Sequence, residues 1–308
     1  LAEAPDLTIG RSRVRLEDGR YRITLDLPRM AEAPPGAPRP TAAGDAAVSP
    51  PRTEETPAGA PAPGATAGDA EVDLPRVDET PTGSHGPGAA PASSSSDRLT
   101  GDILLDPDPG RSLPPFTIRG ARGWTTGYVV PVMSGTLDGA LDVSGRALSL
   151  AGGSGYHDHN WGHWEGVSWQ WGQVAGGGFS FVYGRVYPPA DAADPEHMPG
   201  FLLALGPDGP VGYATRVTIA ERDGAASDGP ERIVVRARSR ALDLTMTLGV
   251  EDRVVSRMDR ASIGNALDFH QMRAAYHVHG RVGGEEVDFT AAGAAETFRG
   301  RPIPPPPR

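Results

Sequence analysis

From residue 99 to about residue 300 apolar side chains recur at every second position, in short runs separated by Gly or Asp-Gly. A period of two marks a strand with one face buried, whereas a helix needs apolar residues three and four apart. Such runs cover residues 102–105, 116–119, 128–133, 135–143 and 147–150. They continue over 168–174, 178–187, 200–205 and 211–219, and again over 232–237, 242–250, 272–282 and 286–290. Asp138-Gly139, Asp208-Gly209 and Gly283-Gly284 are typical of the turns between them, and only a short turn near residues 191–197 departs from the pattern. Short strands at spacings of roughly 8–12 residues predict an all-β protein, a barrel or a sandwich.

Residues 7–28 read as a further hairpin, with Glu17-Asp18-Gly19 as its turn. Between that hairpin and the main run the composition changes. Residues 31–98 hold thirteen prolines, and no aromatic residue occurs between Tyr21 and Phe116. So little apolar surface cannot offset the entropy of ordering, so this segment is expected to be a disordered insertion. The segment has ten acids against four arginines, so more than half of the formal net charge of −10 belongs to it. The expected organisation is residues 1–30 plus 99–150 as a partial N-terminal β domain and 151–300 as a C-terminal barrel. A solvated proline tail is expected over 301–308.

The composition excludes several chemistries. There is no cysteine, hence no disulfide, cysteine metal site or thiol nucleophile. All 29 basic residues are arginine, which removes Schiff-base chemistry and a Walker lysine. No basic stripe of the kind that tracks nucleic acid occurs, and no apolar run is long enough for a membrane helix.

Four of the five tryptophans and three of the eight histidines fall between residues 157 and 171. The stretch reads Gly155-Tyr156-His157-Asp158-His159-Asn160-Trp161-Gly162-His163-Trp164, with Trp169-Gln170-Trp171 after it. On a strand, Tyr156, Asp158 and Asn160 share one face and His157 and His159 the other. If the first face looks into an apolar cavity, burial raises the Asp158 carboxyl and makes it a general acid. Aromatic faces nearby would hold a cation formed by protonating an apolar substrate. Asp-x-Asn also closes tight loops through its own backbone, and paired tryptophans also fill cores. The His-x-His pairs 157/159 and 277/279 could present nitrogens to a metal. Asp158 points away from the first pair, however, and no metal is expected.

The same residues resemble the acyclic carotenoid 1,2-hydratase (hydroxyneurosporene synthase) family and its lipocalin-like relatives, in which Gly-Tyr-x-Asp-x-Asn precedes a Trp-x-Trp strand. Trp124, Pro131, the strand at 135–143 and the run Tyr276, Gly280, Phe289 and Glu296 are similar as well. The resemblance implies tandem lipocalin-like β-barrels around an apolar substrate cavity. The family's Trp- and Tyr-rich opening strand is missing here, so the first barrel is expected to be incomplete.

The resemblance also implies acid-initiated addition of water to an isoprenoid double bond, with cyclisation of a polyene as the related outcome and no cofactor. Asp158 would donate the proton, with Asn160 or His159 holding water. Tyr156, His157, Trp161, Trp164, Trp169, Trp171, Tyr183 and His277 would bind substrate. The expected partner is a hydrophobic small molecule and not nucleic acid, in a cytoplasmic protein that can associate peripherally with membranes. A non-catalytic carrier of a hydrophobic ligand is the alternative, since a tryptophan-lined barrel serves that equally well.

Overall fold

The computed structural model describes residues 6–28, 98–162, 166–194, 197–224, 229–260 and 265–302. Apart from Arg98, the expected insertion at 31–98 lies outside them, as do His163, Trp164 and the tail beyond Pro302. The described residues are almost wholly strand, and the one helical element is a single 3-10 turn at Ala121–Gly123. None of their helices is long and apolar enough to cross a membrane.

Two antiparallel sheets account for the fold. The first holds β1 (Asp6–Ile9), β2 (Ser12–Glu17), β3 (Arg20–Pro28), β4 (Arg98–Pro107), β5 (Leu113–Arg119), β6 (Thr125–Val143), β7 (Arg146–Ser149) and β8 (Gly153–Gly162). The second holds β9 (Ser168–Gly176), β10 (Phe179–Tyr187), β11 (Phe201–Gly206), β12 (Gly209–Ala214), β13 (Arg216–Asp223), β14 (Pro230–Arg238), β15 (Leu242–Arg260), β16 (Asn265–Val282) and β17 (Glu285–Pro302). Their spatial order in the second sheet is β12-β11-β10-β9-β17-β16-β15-β14-β13. β8 pairs with β6, so the division between the sheets falls after Gly162 and not at the expected 150/151.

Alternation along each strand decides what is buried. On β14, Ile233, Val235 and Ala237 are buried while Arg232, Arg236 and Arg238 are exposed. The second sheet curls so that β11 approaches β13 and β12 approaches β15. Phe181, Tyr183, Leu202, Met246, Leu248 and Tyr276 pack inside that curl, each 1% exposed or less. The first sheet also curls, around a smaller cluster of Tyr21, Leu105 and Val132, and stops short of a full barrel. Its strands β3 and β4 are neighbours, with Pro28 directly opposite Arg98.

The two sheets meet face to face. Val130 and Met133 of β6 pack on Val182, Leu203 and Leu205 of β10 and β11. Burying such side chains contributes about 1.5–3 kcal/mol each. A polar clasp crosses the same interface: Arg111 donates to Ser180 Oγ at 2.7 Å and to the Gly178 carbonyl at 2.7 Å. Ser180 then donates to Ser134 at 2.8 Å, and Ser134 to Asp108 at 2.5 Å. Both serines are buried, and this chain satisfies them.

Candidate active site between the sheets

The aromatic pocket lies between the two sheets and not inside a barrel. Register explains why. Trp171 stands opposite Gly184 and Trp169 opposite Val186, so both tryptophans project from the face that carries Val182, away from the Tyr183 core. From the first sheet, Tyr128 and Asn160 are cross-strand partners and share a face. Phe116, Tyr128, Asp158, Asn160, Trp169, Trp171, Phe201 and Glu296 line a cavity of about 80 Å³ between these faces. That is roughly half the ~150 Å³ of an engineered cavity that takes up benzene. It admits the end of a chain, not a whole polyene.

A directed hydrogen-bond chain runs along one wall. An indole N–H can only donate, so Trp171 Nε1 donates to the Tyr128 hydroxyl at 2.8 Å. Tyr156 donates to Asp158 Oδ2 at 3.0 Å, so at the 2.6 Å contact between the phenols Tyr128 is the donor. The order Trp171, Tyr128, Tyr156, Asp158 is thereby fixed. Burial holds both phenols protonated, far above the ordinary tyrosine range, and the Asp158 charge adds to this.

Glu296 of β17 stands across the register from Trp171 and brings a second carboxyl group to the cavity. Its Oε2 accepts from Trp169 Nε1 at 3.3 Å. Burial raises the Glu296 carboxyl above the usual glutamate range; Asp158 raises it further, against the Trp169 and Gln271 hydrogen bonds that lower it. In the sequence Glu296 figures only in the family resemblance. One signal was present: on its strand face it alternates with Ala292, Ala294 and Phe298, an acid where small or apolar residues belong.

The structure sorts the remaining expected residues. Tyr156, Asp158 and Asn160 do share one face, and Trp169 and Trp171 join them. His157 faces the other way, its ring 5.1 Å from that of Tyr21, with burial lowering its pKa. His159 and Trp161 stack on each other at 5.9 Å on that far side. There the Trp161 indole lies across Gly127, where a Cβ would come within 2.0 Å of the ring. Tyr183 is a core residue on the reverse of β10, and His277 is a surface residue bound to Asp288 at 2.8 Å. These two are not in the pocket: alternation put Tyr183 on the inner face of the curl, and His277 lies on an exposed stretch of β16. Trp164 lies outside the described residues. Among the described residues no three His, Asp or Glu side chains stand together as a metal would require.

Comparison with known proteins finds no matching family and no matching curated protein. Among solved structures the chain is similar to a crystal structure of CghA with Sch210972, at 12% identity and a TM-score of 0.45, covering 67% of this chain and 62% of that one. A second crystal structure of CghA matches at 12% identity and a TM-score of 0.42, covering 65% of this chain and 67% of that one. The chain thus spans about 62% of the length of the first of these proteins. At such identities and TM-scores neither likeness bears on what this chain does.

Proposed function

We propose that this protein is an enzyme of the carotenoid-hydratase type, which protonates a double bond of an isoprenoid or polyene and adds water to it or closes a ring. The observation that carries this reading is the meeting of two carboxyl groups, Asp158 and Glu296, in one aromatic-walled cavity. Two carboxyls in different environments can divide acid and base roles between them. The donor role expected of Asp158 fits Glu296 better, because burial favours the protonated form there. Asp158, which accepts from Tyr156, suits the acceptor role.

In this mechanism the π electrons of the double bond form a C–H bond with the Glu296 proton. The cation left on the more substituted carbon faces Trp169 and Trp171. In hydration, a water held by the Asn160 amide bonds to that carbon through oxygen and gives its proton to Asp158. For cyclisation, a second double bond supplies the electron pair, and Asp158 takes a proton from the ring cation. Either way one proton leaves Glu296 and one reaches Asp158.

Positioned acid or base groups contribute about 10²–10⁴-fold. Glu296→Gln and Asp158→Asn should therefore each remove most turnover of an acyclic polyene, measured by product analysis. Quenching of tryptophan fluorescence by the same polyene should persist, because neither change alters the cavity volume. Turnover retained in both variants would overturn the roles given to the two carboxyls, and binding without turnover by the native protein would leave the carrier in their place.

A further inference from the structure

Beside the aromatic pocket lies a wider hollow of about 760 Å³. The two share Arg185, Met198 and Pro199 as a common wall. Arg216 of β13 and Arg236 and Arg238 of β14 line the far side, and Asp243 is the one carboxylate among the described lining residues. Asp243 is occupied by Arg238 at 3.1 Å. Arg216 and Arg236 make no ion pair among the described residues. Moreover, Arg216 stands directly opposite Arg238 in the strand register. Arg236 is the diagonal neighbour of Arg216 on the same face, and an anion between Arg216 and Arg236 relieves the repulsion that Asp243, paired with Arg238, leaves.

Outward-facing arginines also protect an edge strand from pairing with other sheets, and β13 is an edge strand. That role needs neither a hollow nor the arginines of β14. The small volume of the aromatic cavity points the same way: the rest of a chain whose end is held there has to lie outside it, and the hollow adjoins it along Arg185, Met198 and Pro199. We infer that the substrate is an amphiphile, its apolar isoprenoid or polyene end in the aromatic pocket and a carboxylate or phosphate at its other end bound by Arg216 and Arg236. This rests on the aromatic pocket being the substrate site proposed above.

Three probes with the same chain separate the possibilities: farnesol, farnesoic acid and farnesyl phosphate, titrated against tryptophan fluorescence of the full chain. Hydrogen bonds to charged groups predict that at least one acid binds about tenfold more tightly than farnesol, or better, with the advantage shrinking in salt. The tighter of the two acids identifies the head group. In the doubly substituted Arg216→Gln, Arg236→Gln protein the advantage should vanish while farnesol binds as before. The corresponding Arg→Lys pair should keep part of it, which separates charge from folding. Equal binding of all three probes by the native protein overturns the anionic end and leaves the pocket standing. An advantage that survives the Gln variant overturns the arginine assignment, and no binding by any probe overturns both readings.

Discussion

In the proposed mechanism a single proton at Glu296 links the environment to the chemistry. Its carboxyl is raised by burial and by the neighbouring Asp158 charge, so the protonated form persists above the usual glutamate range. Turnover should therefore fall as pH rises through that raised value, and Asp158→Asn should move the falling limb of its residual activity to lower pH. An unmoved limb would separate the two groups. His270 makes the opposite case. It is fully buried, neither ring nitrogen has a hydrogen-bond partner among the described residues, and burial, helped by Arg299 and Arg253, lowers its pKa. The unfolded chain then binds the proton more readily than the folded one, so stability declines as pH falls below the ordinary histidine value. Melting temperatures across that range should fall less for His270→Phe than for the native protein. Sequence alternation was enough to group Tyr156, Asp158 and Asn160, because faces on one strand need only a period of two. It could not assign Tyr183 or His277, since a period says which residues share a face and not which neighbour that face meets.

Strand pairing carries the information that the sequence pattern lacks. Glu296 and Trp171 are far apart in the chain and become neighbours only through the β9–β17 register. Gly127 illustrates how narrowly β6 and β8 fit, since a methyl group there would occupy the Trp161 indole. The all-β class and most strands were legible from residue 99 onward, whereas the assignment of β8 to the first sheet was not, because that depends on its partner β6. The β3–β4 pair yields a test of its own. Pro28 and Arg98 are cross-strand partners, so a short turn can join them in place of residues 29–97. Each halving of the length of a closed connection returns about 0.6 kcal/mol of closure entropy. The shortened protein should melt at the same temperature as the native one or higher in calorimetry. A marked drop would mean that residues 29–97 contribute contacts to the fold.

Across the whole molecule, the pocket depends on two sheets with separate cores. The first sheet supplies Asp158, Asn160 and Tyr128, and the second supplies Trp169, Trp171 and Glu296. What holds them together is the Val130, Met133, Val182, Leu203 and Leu205 layer with the Arg111 clasp. Such an interface can open before either sheet melts, as sub-global openings generally do at lower free energy than full unfolding. Heat should therefore abolish turnover several degrees before circular dichroism reports loss of strand, and Arg111→Ala should widen that interval by lowering only the first temperature. Coincident losses would tie the chemistry to global stability. If the proposed mechanism holds, placing its two carboxyls on opposite sides of a seam makes the seam itself a thermometer: the reaction would stop, reversibly, while the chain is still folded.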